Sequence, residues 1–338
     1  MSRASKPAVL LAALALLASS ACKGESHHDA ISTTTTASTS TTTTATTAIT
    51  LSLPPTTAPS PAAVTAQTKA VFTSTGVVAP VVRLNADGSV AVRTPCENVV
   101  NLRDVRDVGA VDVVLDPGHG GAENGAEGHG IPEKTINLAV AVHTRDALAA
   151  AGFHPLLTRT GDYRETLTER ANLAHAINPR VFVSIHHNGD SDGPRDGPGT
   201  EVWYQHTSTD SRRLAGLIYE EVVKALSQYQ GVAWQADTDA GVKTRLNSSG
   251  NDYYAMLRQP APVVAVLAEL LFLSNPPEAE LVARAEVQQA EGQAVARGII
   301  RYLTTNDPGS GYVDSYPRTQ PAGGGGGLSG CVDPPLGG

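Results

Sequence analysis

Positive charge, cysteine and long apolar runs are all in short supply in this 338-residue chain, and each shortage removes a class of function. Lys and Arg number 25 against 33 Asp and Glu, a net charge of −8. That balance argues against nucleic acid as the main partner. Three cysteines are too few for a disulfide scaffold, and none lies in a CxxC pair. The apolar run Ala8 to Leu17 is about half of what crosses a bilayer. Aromatics are only 4% of the chain, whereas Thr, Gly and Pro are abundant.

What is present begins with a secretion-like N-terminus. Arg3 and Lys6 precede the apolar run, and Leu17-Ala-Ser-Ser-Ala21-Cys22 follows it, so residues 1–22 read as a signal peptide. Small residues before Cys22 resemble a lipoprotein cleavage box, although Ser19 stands where an aliphatic residue is usual. Cys22 is therefore a candidate for lipidation and a membrane tether. Cys96 and Cys331 would then remain, and an oxidising compartment would let them pair. Residues 23–70 read as a disordered linker. Ser32 to Thr50 is nearly all Ser, Thr and Ala, and Pro54, Pro55, Pro59 and Pro61 follow. Such a stretch has too little apolar surface to offset its chain entropy.

Residues 71–108 form a small β-rich segment, read as one hairpin turning at Asn85-Ala-Asp-Gly88. The main domain spans 109–305. Strand-like segments at 111–116, 154–159, 181–187, 199–205 and 262–270 alternate with helix-like ones at 132–151, 166–178, 209–227 and 276–303, and a weaker one near 250–258. That alternation predicts an α/β fold, a single catalytic domain with a mostly parallel twisted sheet and helices on both faces. Residues 306–338, rich in Gly, Pro and Ser, read as a disordered tail.

Polar residues gather at the ends of these segments, where α/β proteins place their ligands. His119 follows Leu115-Asp-Pro-Gly in a glycine-rich turn. No Gly-Lys-Ser/Thr closes that turn, and Glu123, Glu127 and Glu133 would repel a pyrophosphate. Glu133 follows Pro132 at a helix start, where the helix dipole favours a carboxylate; Glu123 and Glu127 compete with it from the loop. His186 and His187 close one strand and must face opposite sides, so only one can face the site. Glu269 ends the apolar run Val263 to Ala268, a setting that raises a carboxyl's proton affinity. Two His and one carboxylate make a catalytic zinc set with a position left open for water, and a separate Glu can serve as base.

With those residues in hand, the chain resembles the zinc-dependent N-acetylmuramoyl-L-alanine amidases of the amidase-3 type. The resemblance rests on Leu115-Asp-Pro-Gly-His119-Gly-Gly, Glu133-Lys-Thr-Ile-Asn-Leu138, Thr158-Arg159-Thr and Leu167-Thr-Glu-Arg170-Ala-Asn. It continues through Val183-Ser-Ile-His186-His-Asn188, Gly199-Thr-Glu-Val-Trp-Tyr204 and Leu267-Ala-Glu269-Leu-Leu-Phe-Leu-Ser-Asn275. It implies zinc held by His119, Glu133 and His186, with Glu269 as catalytic glutamate. It also implies peptidoglycan as substrate, cut between the muramic acid lactyl group and L-alanine by an extracytoplasmic monomer. Leu271 departs from the family's usual Gly and would narrow the cleft. His187 replaces a small residue, which leaves it open as an alternative ligand. Residues 228–249 show no counterpart of the occluding helix of some division-linked members. Two other readings are an idle amidase-like module that binds peptidoglycan or regulates, and a different zinc peptidase or deacylase.

Overall fold

The computed structural model describes residues 63–189, 199–232, 240–315 and 326–337. The expected signal peptide, Cys22 and nearly all of the linker lie outside the described residues. Among the described residues, no helix is long and apolar enough to cross a membrane.

The N-terminal segment is a five-stranded antiparallel sheet in the order β4-β3-β2-β1-β5. Its strands are β1 (Ala70–Phe72), β2 (Val78–Leu84), β3 (Val90–Arg93), β4 (Val99–Leu102) and β5 (Arg106–Asp107). The expected hairpin is its β2–β3 pair. Gly88 adopts the left-handed backbone that the turn requires (φ 82°), and its N–H donates to Asn85 O. The other strands escaped the sequence reading because two to four residues are too few to establish a period of two.

The main domain adds β6 (Val113–Pro117), the two-residue strands β7 (Glu127–Gly128) and β8 (Ile131–Pro132), and α1 (Glu133–Ala150). Next come β9 (Pro155–Leu157), α2 (Leu167–Ile177), β10 (Val181–Asn188), β11 (Glu201–Tyr204) and α3 (Thr209–Leu226). It ends with β12 (Gly241–Lys243), α4 (Ala255–Arg258), β13 (Ala265–Phe272), α5 (Pro276–Val282) and α6 (Ala285–Thr304). The sheet order is β12-β11-β13-β10-β6-β9, with every pair parallel except β11–β13. Alternate residues of the central strands serve opposite layers. Val113, Leu115, Val183 and Ile185 meet Ile136, Val140, Ile218 and Val295 from α1, α3 and α6. Val114, Phe182 and Ala265 meet Ala174, Met256 and Leu257 from α2 and α4. The sheet is thus covered on both faces, as its lack of polar alternation implies. Among the described residues of 228–249 there is no helix.

Three local differences from the sequence reading bear on function. The expected helix 276–303 is two helices, because Arg284 takes an extended backbone between α5 and α6 with no Gly or Pro to announce it. Strand β13 bulges beside the site. His186 pairs with Glu269 and Asn188 with Phe272, so two residues of β13 face the single His187 of β10. The bulge puts both Leu270 and Leu271 in the core. Leu271 is fully buried, so it does not narrow the cleft.

The described parts of the tail are also tied down, contrary to the expectation of disorder over 306–338. Gly311 O accepts from Val242 N at 2.7 Å and Val313 N donates to Val242 O at 3.0 Å, beyond β12. Cys331 is disulfide-bonded to Cys96, and the Asp333 carboxylate accepts from Cys96 N, Thr94 Oγ1 and Asn98 Nδ2, each at 2.8 Å. Leu336 completes the core of the N-terminal sheet. Composition suggested disorder because this tail lacks apolar runs. The disulfide, the Asp333 carboxylate, two backbone bonds to Val242 and the Leu336 side chain hold it instead.

Candidate active site

The sheet delivers the site at the C-terminal ends of β6, β10 and β13. Strand β6 ends in Asp116-Pro117, and the chain turns sharply so that His119 carries a left-handed backbone (φ 60°), uncommon for a residue with a side chain. Two buried arginines hold that turn. Arg159 donates to the carbonyls of Pro117 and Gly118, both at 2.9 Å, and of Lys134 at 2.7 Å. Arg170 donates to the carbonyls of Pro117 (2.9 Å) and His119 (2.8 Å) and pairs with the Asp116 carboxylate. Burial and the neighbouring Arg170 charge lower the Arg159 guanidinium to about 10. Gly118 and Gly125 are glycine for lack of room. A Cβ on Gly118 would collide with the His186 ring, and one on Gly125 with the Glu133 carboxylate.

Glu133 opens α1 and is 3% exposed. Its Oε2 lies 3.1 Å from His119 Nε2, and its Oε1 lies 2.9 Å from His186 Nδ1. Oε2 also accepts from Ala126 N at 2.9 Å, and Oε1 from Asn137 Nδ2 at 3.0 Å and His187 N at 3.2 Å. Burial opposes ionisation of this carboxyl. The hydrogen bonds from His119 and His186 outweigh it and hold the group well below its usual 4.5. Burial likewise lowers the proton affinity of His186, with Glu133 pulling the other way. One donor atom from each of His119, Glu133 and His186 falls within 4.8 Å of the others, so the three can share one metal ion.

Glu269 stands opposite His186 across the β10–β13 pair. Its Oε2 is buried without a hydrogen-bond partner. Burial, then the charges of Glu133 and Glu201, push its carboxyl well above the usual 4.5. All four residues line one open cavity of about 380 Å³, together with Asn188 and Ser274. Of the competing loop carboxylates, Glu123 is paired with Arg164 at 2.9 Å, and Glu127 is an exposed residue at the cavity wall.

His187 is 1% exposed and turns its ring away from the His119–Glu133–His186 group, toward Asn137 and Glu291. It is therefore no alternative ligand, and the strict alternation of side chains along β10 is the reason. The sequence reading quoted Arg159, Arg170 and Asn137 only as motif residues and passed over Glu291. Buried polar groups that bond to backbone or to each other leave no periodic trace in a single sequence.

A family model described as N-acetylmuramoyl-L-alanine amidase matches residues 113–301, the whole parallel sheet and its site. The chain belongs to that family. It is 33% identical over 193 residues to the amidase LytC of Bacillus subtilis, covering 56% of this chain and 35% of that longer protein. Against the amidase AmiA of Escherichia coli the identity is 31% over 220 residues, covering 56% of this chain and 75% of the relative. An uncharacterised protein of Bacillus subtilis, YqiI, is 37% identical over 192 residues, covering 56% of this chain and 84% of its own. Among solved structures, an N-acetylmuramoyl-L-alanine amidase from Clostridium difficile 630 superposes with a TM-score of 0.50 at 27% identity, over 59% of this chain and 99% of that one. This amidase is thus an α/β hydrolytic enzyme of the peptidoglycan-cleaving family, and its matched region ends within the last turn of α6. The N-terminal sheet and the disulfide-tied tail lie outside the match.

Proposed function

We propose that the chain is a zinc-dependent peptidoglycan hydrolase that cleaves the amide between the lactyl group of N-acetylmuramic acid and L-alanine. The observation that carries the reading is the Glu133 carboxylate set between two imidazoles, in a cavity that Glu269 also lines. Two imidazoles and one carboxylate fit zinc and leave a coordination position for solvent or substrate. Bound there, the ion supplies Lewis acidity, which makes a water easier to deprotonate and an amide carbonyl more electrophilic.

The rest falls to the chain's own groups. Gly118 and Gly125 keep the approach to His186 and Glu133 clear. Glu269 takes the proton of the attacking water on its unpartnered oxygen. Its raised proton affinity suits it to keep that proton and hand it to the amide nitrogen, which leaves as the amine of L-alanine. All of these groups come from one chain, so the site is complete in a monomer, the state proposed for the enzyme. Residues 1–22 export it, and lipidation of Cys22 would tether it to the outer face of the membrane, with residues 23–62 as a spacer reaching the wall.

Digestion of purified sacculi with Zn²⁺ present tests the reading. Mass spectrometry should find stem peptides with a free L-alanine N-terminus, and Glu269→Gln should slow their release by at least about 100-fold. If the unaltered chain releases no such peptides, or Glu269→Gln releases them at the same rate, the reading fails.

A further inference from the structure

Beside the Glu133 carboxylate, on the face of β10 that α1 and α6 cover, lies a row of buried polar groups. Glu291 and Asn137 are fully buried, and His187 is 1% exposed. His187 Nε2 lies 3.3 Å from Glu291 Oε2, and its Nδ1 lies 2.7 Å from Asn137 Oδ1. Asn137 Nδ2 then donates to Glu133 Oε1 at 3.0 Å and to Gly118 O at 3.3 Å. The sense of the bonds around Asn137 follows from its partners. Asn137 uses its NH₂ on a carboxylate and a carbonyl, both acceptors. Its Oδ1 can only accept, so His187 Nδ1 carries the hydrogen that meets it.

Three elements converge to make this row. Asn137 sits one turn after Glu133 on α1, so both side chains lie on one face. His187 alternates with His186 on β10 and faces the helix layer. Glu291 comes from α6, which approaches α1 closely at the adjacent Gly292. A Cβ there would lie 2.7 Å from Val140 O and 3.0 Å from Thr144 N. The same carboxylate is also held by the backbone N–H groups of Ala126 and His187. Those bonds and the Asn137 amide together hold its oxygens, and the Asn137 amide is itself held by His187 Nδ1 at its Oδ1 and by Gly118 O at its Nδ2.

We propose that His187, braced by Glu291, is a positioning residue. Through the oriented Asn137 amide it holds the Glu133 carboxylate in the rotation that the metal requires. The proposal rests on the metal reading above. Outer partners of ligands of this kind typically carry about 10–100-fold in metal affinity.

The test compares two near-isosteric variants of the full chain. His187→Asn places an amide NH₂ where the ring has Nδ1 and keeps the donor to Asn137. His187→Gln carries its amide to the Nε2 end, keeps the Glu291 contact and leaves Asn137 Oδ1 without its donor. Zn²⁺ affinity is read by competition with a chromogenic chelator, and the metal-free thermal midpoint is read alongside. His187→Asn should bind within about threefold of the unaltered chain, and His187→Gln about tenfold or more weakly. Equal affinities for the two variants, or weaker binding by His187→Asn, would overturn the proposal. A role confined to packing would follow the metal-free thermal midpoints and not the position of the donor. Asn137→Leu should match the loss of His187→Gln, and the double variant should lose no more than the worse single, because the bonds act in series. Additive losses would also overturn it. If the unaltered chain binds no Zn²⁺, the metal reading itself has failed, a result distinct from any difference among variants.

Discussion

Replacing Glu165 with Gln should flatten the dependence of stability on pH. Glu165 is 2% exposed, lies beside the Asp116–Arg170 pair, and has an Oε2 with no hydrogen-bond partner. Burial pushes its carboxyl from 4.5 to about 8; the charge of Arg170 opposes this, and those of Asp116 and Glu169 add to it. Below pH 4.5 both folded and unfolded chains hold the proton, and the group costs nothing. Between 4.5 and 8 the unfolded chain has released it and the folded chain has not, so stability falls as pH rises. Above about 8 both are ionised and the loss levels off. Three to four pH units at about 1.4 kcal/mol each give an upper bound of roughly 5 kcal/mol. At about 2–4 °C per kcal/mol for a domain of this size, the bound corresponds to roughly 10–20 °C in thermal midpoint. Glu169, pushed up to about 7 chiefly by burial, drifts in the same direction but is present in both proteins, so only its coupling to Glu165 enters the difference. The assay is thermal unfolding of both proteins from pH 4 to 9. The midpoint of Glu165→Gln minus that of the unaltered chain should climb through the window. Parallel curves would refute the account of Glu165 as a buried, proton-holding carboxyl.

Three further outcomes are expected. Stripping the protein with a chelator should abolish peptide release, and Zn²⁺ returned at about 100 times its dissociation constant should restore it and raise stability by about 2.7 kcal/mol, read by calorimetry. Leu271→Ala should cost about 2–5 kcal/mol in denaturant unfolding and leave KM for muropeptides unchanged, because Leu271 faces the core and not the cavity. Replacing Cys96 and Cys331 together with Ser should cost about 2–4 kcal/mol by the same unfolding assay and open residues 326–337 to proteolysis, since the bond spans 235 positions.

The candidate site residues were legible because each sits at a boundary that local sequence marks. The β-branched run into Asp116-Pro117, Pro132 ahead of Glu133 and the apolar run before Glu269 all announce an element's end. The fold class was legible for the same reason. The N-cap bond of Asn275 to Glu278 N (3.1 Å) is likewise where Asn275-Pro-Pro-Glu278 implies it. What escaped the sequence has no local signature. Arg284 breaks a helix without Gly or Pro, and the β12 strand is three residues long. The bulge that buries Leu271 appears only when β13 is paired against β10.

The sequence by itself determined the alternation of strands and helices, the glycine-lined turn at His119 and the four side chains offered to one rim. Local propensity and hydrophobic period suffice for these. Only the tertiary structure decided that the His186 ring and not the His187 ring meets Glu133: α1 covers the face of β10 that His187 points to, where Asn137 takes it, and Glu133 at the start of that helix is reached by His186 from the other face. Packing also set Arg159 and Arg170 under the His119 turn, 40 and 51 residues away in the chain, and Glu291 behind His187. Buried charges choose partners by proximity in space, and proximity in space is what a linear sequence does not record.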